Sequence, residues 1–515
     1  QPNGSGGTYT VSFSPNAAGR RDSMTDPSGT TSYGYDGAGR LDELTNPLSE
    51  VTAWAYDDDS RVTRITYHTG AYDAYAYDSR GRLTSVNSKN SSNGSLRSRS
   101  YTYDVASQMA TQTVDSIATT YDYDDAGQLI EESRSGYAAS YSYDGNGNRL
   151  SKTLGGMTEN YVYDDGDKLL EVKVGATVLK DFDYDACGRT TKIQTSGYTR
   201  NFSYDYESRI TQITGLATTN TFNYNGFDTR VKKVDSAGTS NYQRTGATAT
   251  SPIVSDGFAT YTPGVSERRS GTTEYLHAGL KNADLQTNSS QANAGTKRYD
   301  AFGLQVGGIG TFQGPHGYGG KFGYQSREDA ELMLLGHRYY DASTGRFLTR
   351  DQIRDGRNWF TYCTNDPVGG ADPSGLKNIF TSVWETASDV WIEVSDWWCG
   401  TDRIGPIGEP IRIGGWPALW FDDEVACTVN GTVHVNDFDK YFEYMNDKAW
   451  QQHERRHIWQ EDYYHDGNAV EFVVQIGIQY LLARSHDGAP YEREADAVVS
   501  GRLVPKATGL YEWLE

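Results

Sequence analysis

Cysteine is nearly absent, with four in 515 residues, which excludes a disulfide framework as what holds so long a chain together. Methionine (5) and histidine (9) are almost as scarce, so any place where histidines gather is informative. No run approaches the roughly 18 apolar residues of a membrane-spanning helix, and the mean hydropathy is −0.68, so no membrane span is expected. The opening Gln1-Pro2-Asn3-Gly4-Ser5-Gly6-Gly7 has neither a basic start nor an apolar stretch, and no signal peptide is expected from it. Positive charge is also short: 47 Lys and Arg face 68 Asp and Glu, a net of −21. Nucleic-acid binding rests on Lys and Arg neutralising phosphates, so that class of partner is disfavoured.

What the chain has in abundance is tyrosine (38) and glycine (56). They are ordered. Tyr-Asp pairs recur at Tyr35-Asp36, Tyr56-Asp57, Tyr77-Asp78, Tyr103-Asp104, Tyr123-Asp124, Tyr143-Asp144, Tyr163-Asp164, Tyr184-Asp185 and Tyr204-Asp205, then Tyr224-Asn225, every 20 or 21 residues with one interval of 26. A unit that short, with two β-prone runs and a turn, fits one hairpin. In Tyr75-Ala76-Tyr77 and Tyr141-Ser142-Tyr143 the tyrosines lie two apart and so project from one face, tiling a wall with phenols. Residues 235–297 are rich in Gly, Ala, Ser, Thr and Asn without these marks, and read as irregular strands or a long loop.

This pattern resembles the YD repeats of RHS proteins, of toxin-complex B and C components and of teneurins. The resemblance implies a spiral of hairpins closing as a hollow shell; the alternative is an open stack of repeats. Gly336-His337-Arg338-Tyr339-Tyr340-Asp341 through Asp351, then Asn365-Asp366-Pro367-Val368 and Asp372-Pro373-Ser374-Gly375-Leu376, resemble the RHS-associated core that ends such shells. Many members cut themselves after the D-P-x-G-L element. Carried over, this implies Asp351 and Asp329 as the catalytic pair and Leu376–Lys377 as the bond. Two carboxylates sharing a proton supply an acid and a base together. The family's D-P-I-G stands here as Asp351-Gln352-Ile353-Arg354, and the spacing to Asp329 is approximate.

Composition changes after Leu376: nine of the eleven Trp but only seven of the 38 Tyr lie beyond it. From residue 377 there are 24 acidic and 11 basic side chains, a net of −13 that leaves −8 of the total −21 to the rest. Phe380, Val383, Trp384, Ala387, Trp391, Val394 and Trp398 recur at helical spacing, read as a core face. Thr428 to Val435 reads as a hairpin turning at Asn430-Gly431. A helix over 438–465 is expected to carry His453-Glu454-Arg455-Arg456-His457.

Histidines four apart share a helix face, so His453 and His457 can offer two imidazoles to one zinc ion, with Glu454 beside its water as general base. Glu492-Arg493-Glu494-Ala495-Asp496 begins 35 residues after His457 and offers Glu492 as third ligand. Asp496, one turn on, is placed to orient an imidazole. Tyr463, Tyr464, His465, His486 and Tyr491 are the candidates for oxyanion stabilisation. H-E-x-x-H followed by E-x-x-A-D resembles the gluzincin metallopeptidases, thermolysin-like in ligand logic, which implies the same roles. The competing reading is a helix pair with ordinary surface or core histidines. Cys399 and Cys427 can pair in an oxidising compartment, whereas Cys187 and Cys363 read as separate thiols.

The expected fold is therefore mainly β, a spiral shell of YD hairpins with a smaller α+β zincin-like C-terminal domain. The expected division is residues 1–297 for the shell, 298–376 for the RHS-associated core and 377–515 for the C-terminal domain. The expected function is that of a bacterial polymorphic toxin, secreted or at the cell surface and monomeric, whose shell encloses a zinc protease. Its expected partners are a protein or peptide substrate in a target cell and a cognate immunity protein. The alternative is a teneurin-like adhesion or recognition shell with a non-catalytic C-terminal domain.

Overall fold

The structure is a computed structural model describing residues 9–326, 329–354 and 356–376, with the backbone of seven short strands beyond them. The chain divides into two units, Gln1–Trp391 and Ile392–Glu515. Of the described residues, almost all regular structure is β, with two short 3-10 turns, Gly320–Phe322 and Cys363–Asn365. Among them no helix is long and apolar enough to cross a membrane.

The first unit is dominated by one antiparallel sheet of 23 strands, from Ser12–Pro15 to Gly238–Asn241. The Tyr-Asp pair explains why its hairpins repeat. At the turn after strand Tyr72–Tyr77, Oδ1 of Asp78 accepts the amides of Arg80 at 2.9 Å and Arg82 at 3.0 Å, while Oδ2 takes Nε of Arg82 at 2.8 Å. One carboxylate thus satisfies the backbone that the turn leaves unpaired. Gly81 closes the turn at φ 79°, a left-handed conformation that costs glycine nothing. Burial pushes the Asp78 carboxyl up, but the Arg82 and Arg80 amides and the Arg82 guanidinium more than reverse it, leaving it below its ordinary value.

Tyrosine then ties one hairpin to the next. The Tyr103 hydroxyl donates to the carbonyl of Leu83 at 2.8 Å, and Arg82 lies over the Tyr103 ring, 4.7 Å from its centre. The same pair of contacts joins Arg61 to Tyr77, Arg189 to Tyr204 and Arg209 to Tyr224. At the opposite ends, tight two-residue turns such as Gly155-Gly156, with φ of 59° and 81°, match the twist of the strands.

Alternate side chains face inward. Leu169, Val172, Phe182, Ile193, Phe202, Ile210, Ile213 and Phe222 of the strip form one core with Leu332, Leu334, Tyr339 and Leu348 of the later chain. Fully burying each such side chain is worth about 1.5–3 kcal/mol, so residues 330–348 pack firmly against the strip.

Residues 235–297 are far more regular than their composition suggests. Most of them build an eight-stranded antiparallel sheet that starts at Gln243–Arg244 and ends at Gln305–Gly310. Several of its contacts with the strip are polar. Asp284 accepts Nε of Arg97 at 3.0 Å and Nε of Arg99 at 2.9 Å. His277, fully buried, bridges Asp73 at 2.8 Å and Thr287 at 2.8 Å. Buried faces made of His, Gln and Thr erase the apolar alternation by which strands are recognised.

In the second unit, Thr401–Ile404, Pro410–Ile413, Thr432–Val435 and Cys427–Val429 form a four-stranded sheet. The hairpin expected at Thr428 to Val435 is there, with Val429 paired to Thr432. Leu503–Pro505 pairs with Tyr511–Trp513.

Candidate functional site

The junction after residue 370 is held by one buried arginine. Strand Arg338–Asp341 places Arg338 in the interior, 4% exposed, with its guanidinium 3.7 Å above the Phe347 ring. Its Nη2 meets Asp351 at 3.1 Å and Asp372 at 3.5 Å, and its Nη1 donates to the carbonyl of Trp359 at 3.0 Å. Its Nε donates to the carbonyl of Gly375. A planar fork of five donors suits such divergent acceptors, where a lysine ammonium would not.

Asp372 completes the grip. Its Oδ1 accepts the amide of Leu376 at 3.0 Å, so the peptide unit between Gly375 and Leu376 is held at its carbonyl by Arg338 and at its N–H by Asp372. Gly375 sits at φ 69°, and a Cβ there would fall 2.1 Å from the carbonyl oxygen of Leu335. Only glycine fits. The His337 amide donates to the Ser374 carbonyl at 2.8 Å, pinning the same segment. Beyond it, Gly370–Ala371 pairs with Ile379–Phe380, so Leu376 leads into the connection between two paired strands.

The structure brings Asp351 together with Arg338 and Asp372. Asp351 is 6% exposed, and its Oδ1 accepts the amide of Ile353 at 2.9 Å. Asp329 has a different setting: it accepts the Ser236 amide at 2.9 Å and the Ser236 hydroxyl at 2.6 Å, at the turn that ends the long sheet. With its amide nitrogen turned toward its acceptors, Asn220 also donates to Asp329 at 2.9 Å. The spacing that paired Asp329 with Asp351 carries no information about these bonds. The roles of Arg338 and Asp372 were missed because G-H-R-Y-Y-D and D-P-S-G-L read as strand and turn, each without a partner.

A second feature was also missed. The residue four after each Tyr-Asp aspartate is arginine at 40, 61, 82, 189 and 209 and lysine at 168, but Gln108, Gln128 and Asn148 in three consecutive units. Two of these amides receive the core. Asn148 accepts Nη1 of Arg346 at 2.9 Å and the Asn358 amide at 2.6 Å, and Gln128 accepts the Asn365 amide at 2.9 Å. The break in the arginine pattern was the available signal.

His453, Glu454, His457, Glu492 and Asp496 lie outside the described residues, as do Lys377, the oxyanion candidates, the helix expected over 438–465, the Trp-bearing helix and the Cys399 side chain. Among the described residues no group of three or more His, Cys, Asp or Glu is placed to hold a metal ion. Cys187 is exposed and Cys363 buried, and neither is in a disulfide, as expected.

These contacts define a class of protein: a β-hairpin shell with its own packed lining. The RHS repeat model matches residues 16–51 and 123–156. The fold is similar to that of a Photorhabdus luminescens Tc holotoxin pore containing a TccC3 variant, with a TM-score of 0.59 and 18% identity over 73% of this chain and 22% of that one. The TcdB2-TccC3 structure is similar to the same degree, with a TM-score of 0.59 and 19% identity over 72% of this chain and 22% of that one. The uncharacterized protein YibJ of Escherichia coli (strain K12) is 42% identical over 59 residues, 11% of this chain and 25% of YibJ. The chain thus spans about a quarter or less of these relatives; it carries RHS repeats at residues 16–51 and 123–156, in a fold similar to that of the Tc toxin structures.

Proposed function

We propose that this chain is a toxin whose RHS shell carries residues 377–515 as cargo, released by self-cleavage between Leu376 and Lys377, and that the cargo is a zinc-dependent protease acting on target-cell protein. The observation that carries the reading is the grip of Arg338 and Asp372 on the Gly375–Leu376 peptide, with Asp351 on the same guanidinium. A peptide held at both ends cannot turn away from a neighbouring carboxylate, which is the positional advantage that hydrolysis needs.

In this reading Asp351 takes a proton from water as the oxygen bonds to the Leu376 carbonyl carbon. The C–N bond breaks, and the Lys377 nitrogen leaves as an amine with the proton returned to it. Arg338 is the positioning residue, and Asp372 holds the Leu376 amide. Asp329, the second carboxylate that the family resemblance implies, is separated from these by its own variant. Asp351→Asn and Arg338→Met leave one intact chain, and Asp329→Asn does so only if that carboxylate shares the proton transfer.

For the cargo, His453, His457 and Glu492 would hold zinc, which supplies a water acidic enough to ionise near pH 7. Glu454 would take the proton and Asp496 would fix an imidazole. The acidic balance of residues 377–515 supports a peptide rather than a nucleic-acid target. Glu454→Gln is the test: it abolishes toxicity or proteolysis while the shell melts unchanged. Full activity in that variant rejects the protease reading and leaves the shell reading standing.

A further inference from the structure

Between strand Gln243–Arg244, strand Ala259–Thr262 and residues 316–323 lies a cavity of about 60 Å³. That is room for roughly four to six water-sized groups. Its walls carry Arg244, Lys321 and His316, and among the described residues no aspartate or glutamate lines it.

Arg244 is the anomaly. It is 4% exposed, its Nη1 donates to the Ser251 carbonyl at 2.8 Å, and its Nε finds no acceptor among the described residues. Arg97 and Arg99 share Asp284, and Arg338 has Asp351 and Asp372; among the described residues no carboxylate pairs with Arg244. A buried cation without a counter-charge is costly, and proteins meet the cost with an anion or by shifting the group toward neutrality. Burial, and then the nearby Arg230 guanidinium, push Arg244 down to about 10, still charged at neutral pH.

The other walls agree. The Lys321 ammonium, 8% exposed as a residue, stands 5.8 Å from the centre of the Tyr75 ring. His316 packs edge-on to Tyr261 with ring centres 5.6 Å apart, and its Nδ1 finds no partner among the described residues. Gly336 and Pro373 also line the cavity. An occupant would therefore rest against the segments that carry Arg338 and Asp372.

We propose that this cavity is a structural anion site for a small tetrahedral inorganic oxyanion, phosphate or sulfate, held by Arg244 and Lys321 with His316 on a third side. An Arg fork and a Lys point charge are the usual donors for such an ion. A trapped oxyanion supplies the counter-charge that no carboxylate among the described residues gives Arg244, and steadies the Pro373 segment.

The test uses the whole chain, dialysed into chloride and then titrated with inorganic phosphate, and separately with sulfate, at constant ionic strength and pH 7. Heat unfolding is followed with isothermal titration alongside. The parent's midpoint rises by about 3–6 °C at phosphate about a hundredfold above its dissociation constant, a linkage effect that grows with the logarithm of the phosphate concentration. Arg244→Met and Lys321→Met each weaken phosphate binding at least tenfold. General salting-in or salting-out acts on all three proteins alike, so the parent's excess over the variants is the readout. In chloride Arg244→Met unfolds no earlier than the parent, since it removes an unpaired buried charge. Should that variant fail to fold, Lys321→Met and the parent's own titration decide. Equal midpoints for the parent in phosphate, sulfate and chloride, or an undiminished gain in the variants, overturn the proposal. A gain from phosphate and none from sulfate keeps the site and narrows its ligand.

Discussion

Arg346 donates to the side-chain oxygen of Asn148 at 2.9 Å, and Asn148 occupies the place that arginine holds in other repeats. An arginine there would put two cations in a site where Asn148 is only 2% exposed. The repeat pattern yields where the core docks, because the wall must present an acceptor instead of a donor. Asn148 also donates to Asp144 at 3.0 Å and to Asp167 at 2.6 Å, so an arginine there keeps acidic neighbours but removes the acceptor of Arg346 and Asn358, and Asn148→Arg is expected to destabilise the first unit by about 1–3 kcal/mol. Urea unfolding checks this. A loss under 1 kcal/mol would mean that the Arg346 contact is incidental.

The Tyr-Asp ladder makes a graded prediction. Tyr103→Phe removes one hydroxyl bond to Leu83 and is expected to cost about 0.5–1.5 kcal/mol. Asp78→Ala strips acceptors from two turn amides and from Arg82, and is expected to cost about 2–3 kcal/mol. Denaturant midpoints of the two variants should keep that order.

Stability should fall on both sides of a weakly acidic optimum. The carboxyls of Asp36, Asp57, Asp78, Asp164 and Asp185 are raised by burial but lowered more by turn amides and their Arg or Lys partner, ending below their ordinary value. Their contribution is complete above that ordinary value and is lost as pH falls through the lower, folded one. Glu132 goes the other way. Burial and then Asp300 push it up to about 7, despite Arg134 at 2.5 Å, and burial raises Asp300 as well. The contribution of Glu132 is present below its unfolded value of about 4.5 and is lost as pH rises through about 7. Unfolding midpoints from pH 3 to 8 should peak between about 4.5 and 6. Glu132→Gln should flatten the upper limb, gaining on the order of 2–3 kcal/mol relative to the parent at pH 8. An unchanged upper limb would assign Glu132 an ordinary ionisation.

The repeats were legible because a single carboxylate writes its role into the sequence: Asp78 needs a glycine or serine at the left-handed position and a partner at Arg82, so the spacing repeats wherever the turn does. The eight-stranded sheet was hidden for the opposite reason. His277, Gln286 and Thr287 are fully buried and satisfied by Asp73, by backbone and by one another, so its inner face has no apolar period. The junction was half legible. Family resemblance singled out Asp351, which the structure places beside Arg338 and Asp372, but the fork of Arg338 joins three segments that sequence separation keeps apart.

Arg338 should matter to the fold as well as to cleavage. Arg338→Met leaves Asp351 and Asp372 buried, 6% and 1% exposed, without that shared cation, and is expected to cost about 3–5 kcal/mol. Asp351→Asn keeps the size of the side chain and should cost less while still blocking cleavage. Comparing the urea midpoints of these variants separates the two roles.

The central claim is tested most directly by intact-mass measurement of the full chain in denaturant, which parts two pieces that remain associated in the native protein. The account predicts two masses divided between Leu376 and Lys377 for the parent and a single full-length mass for Asp351→Asn. A parent of one full-length mass, or a cut at any other bond, contradicts it.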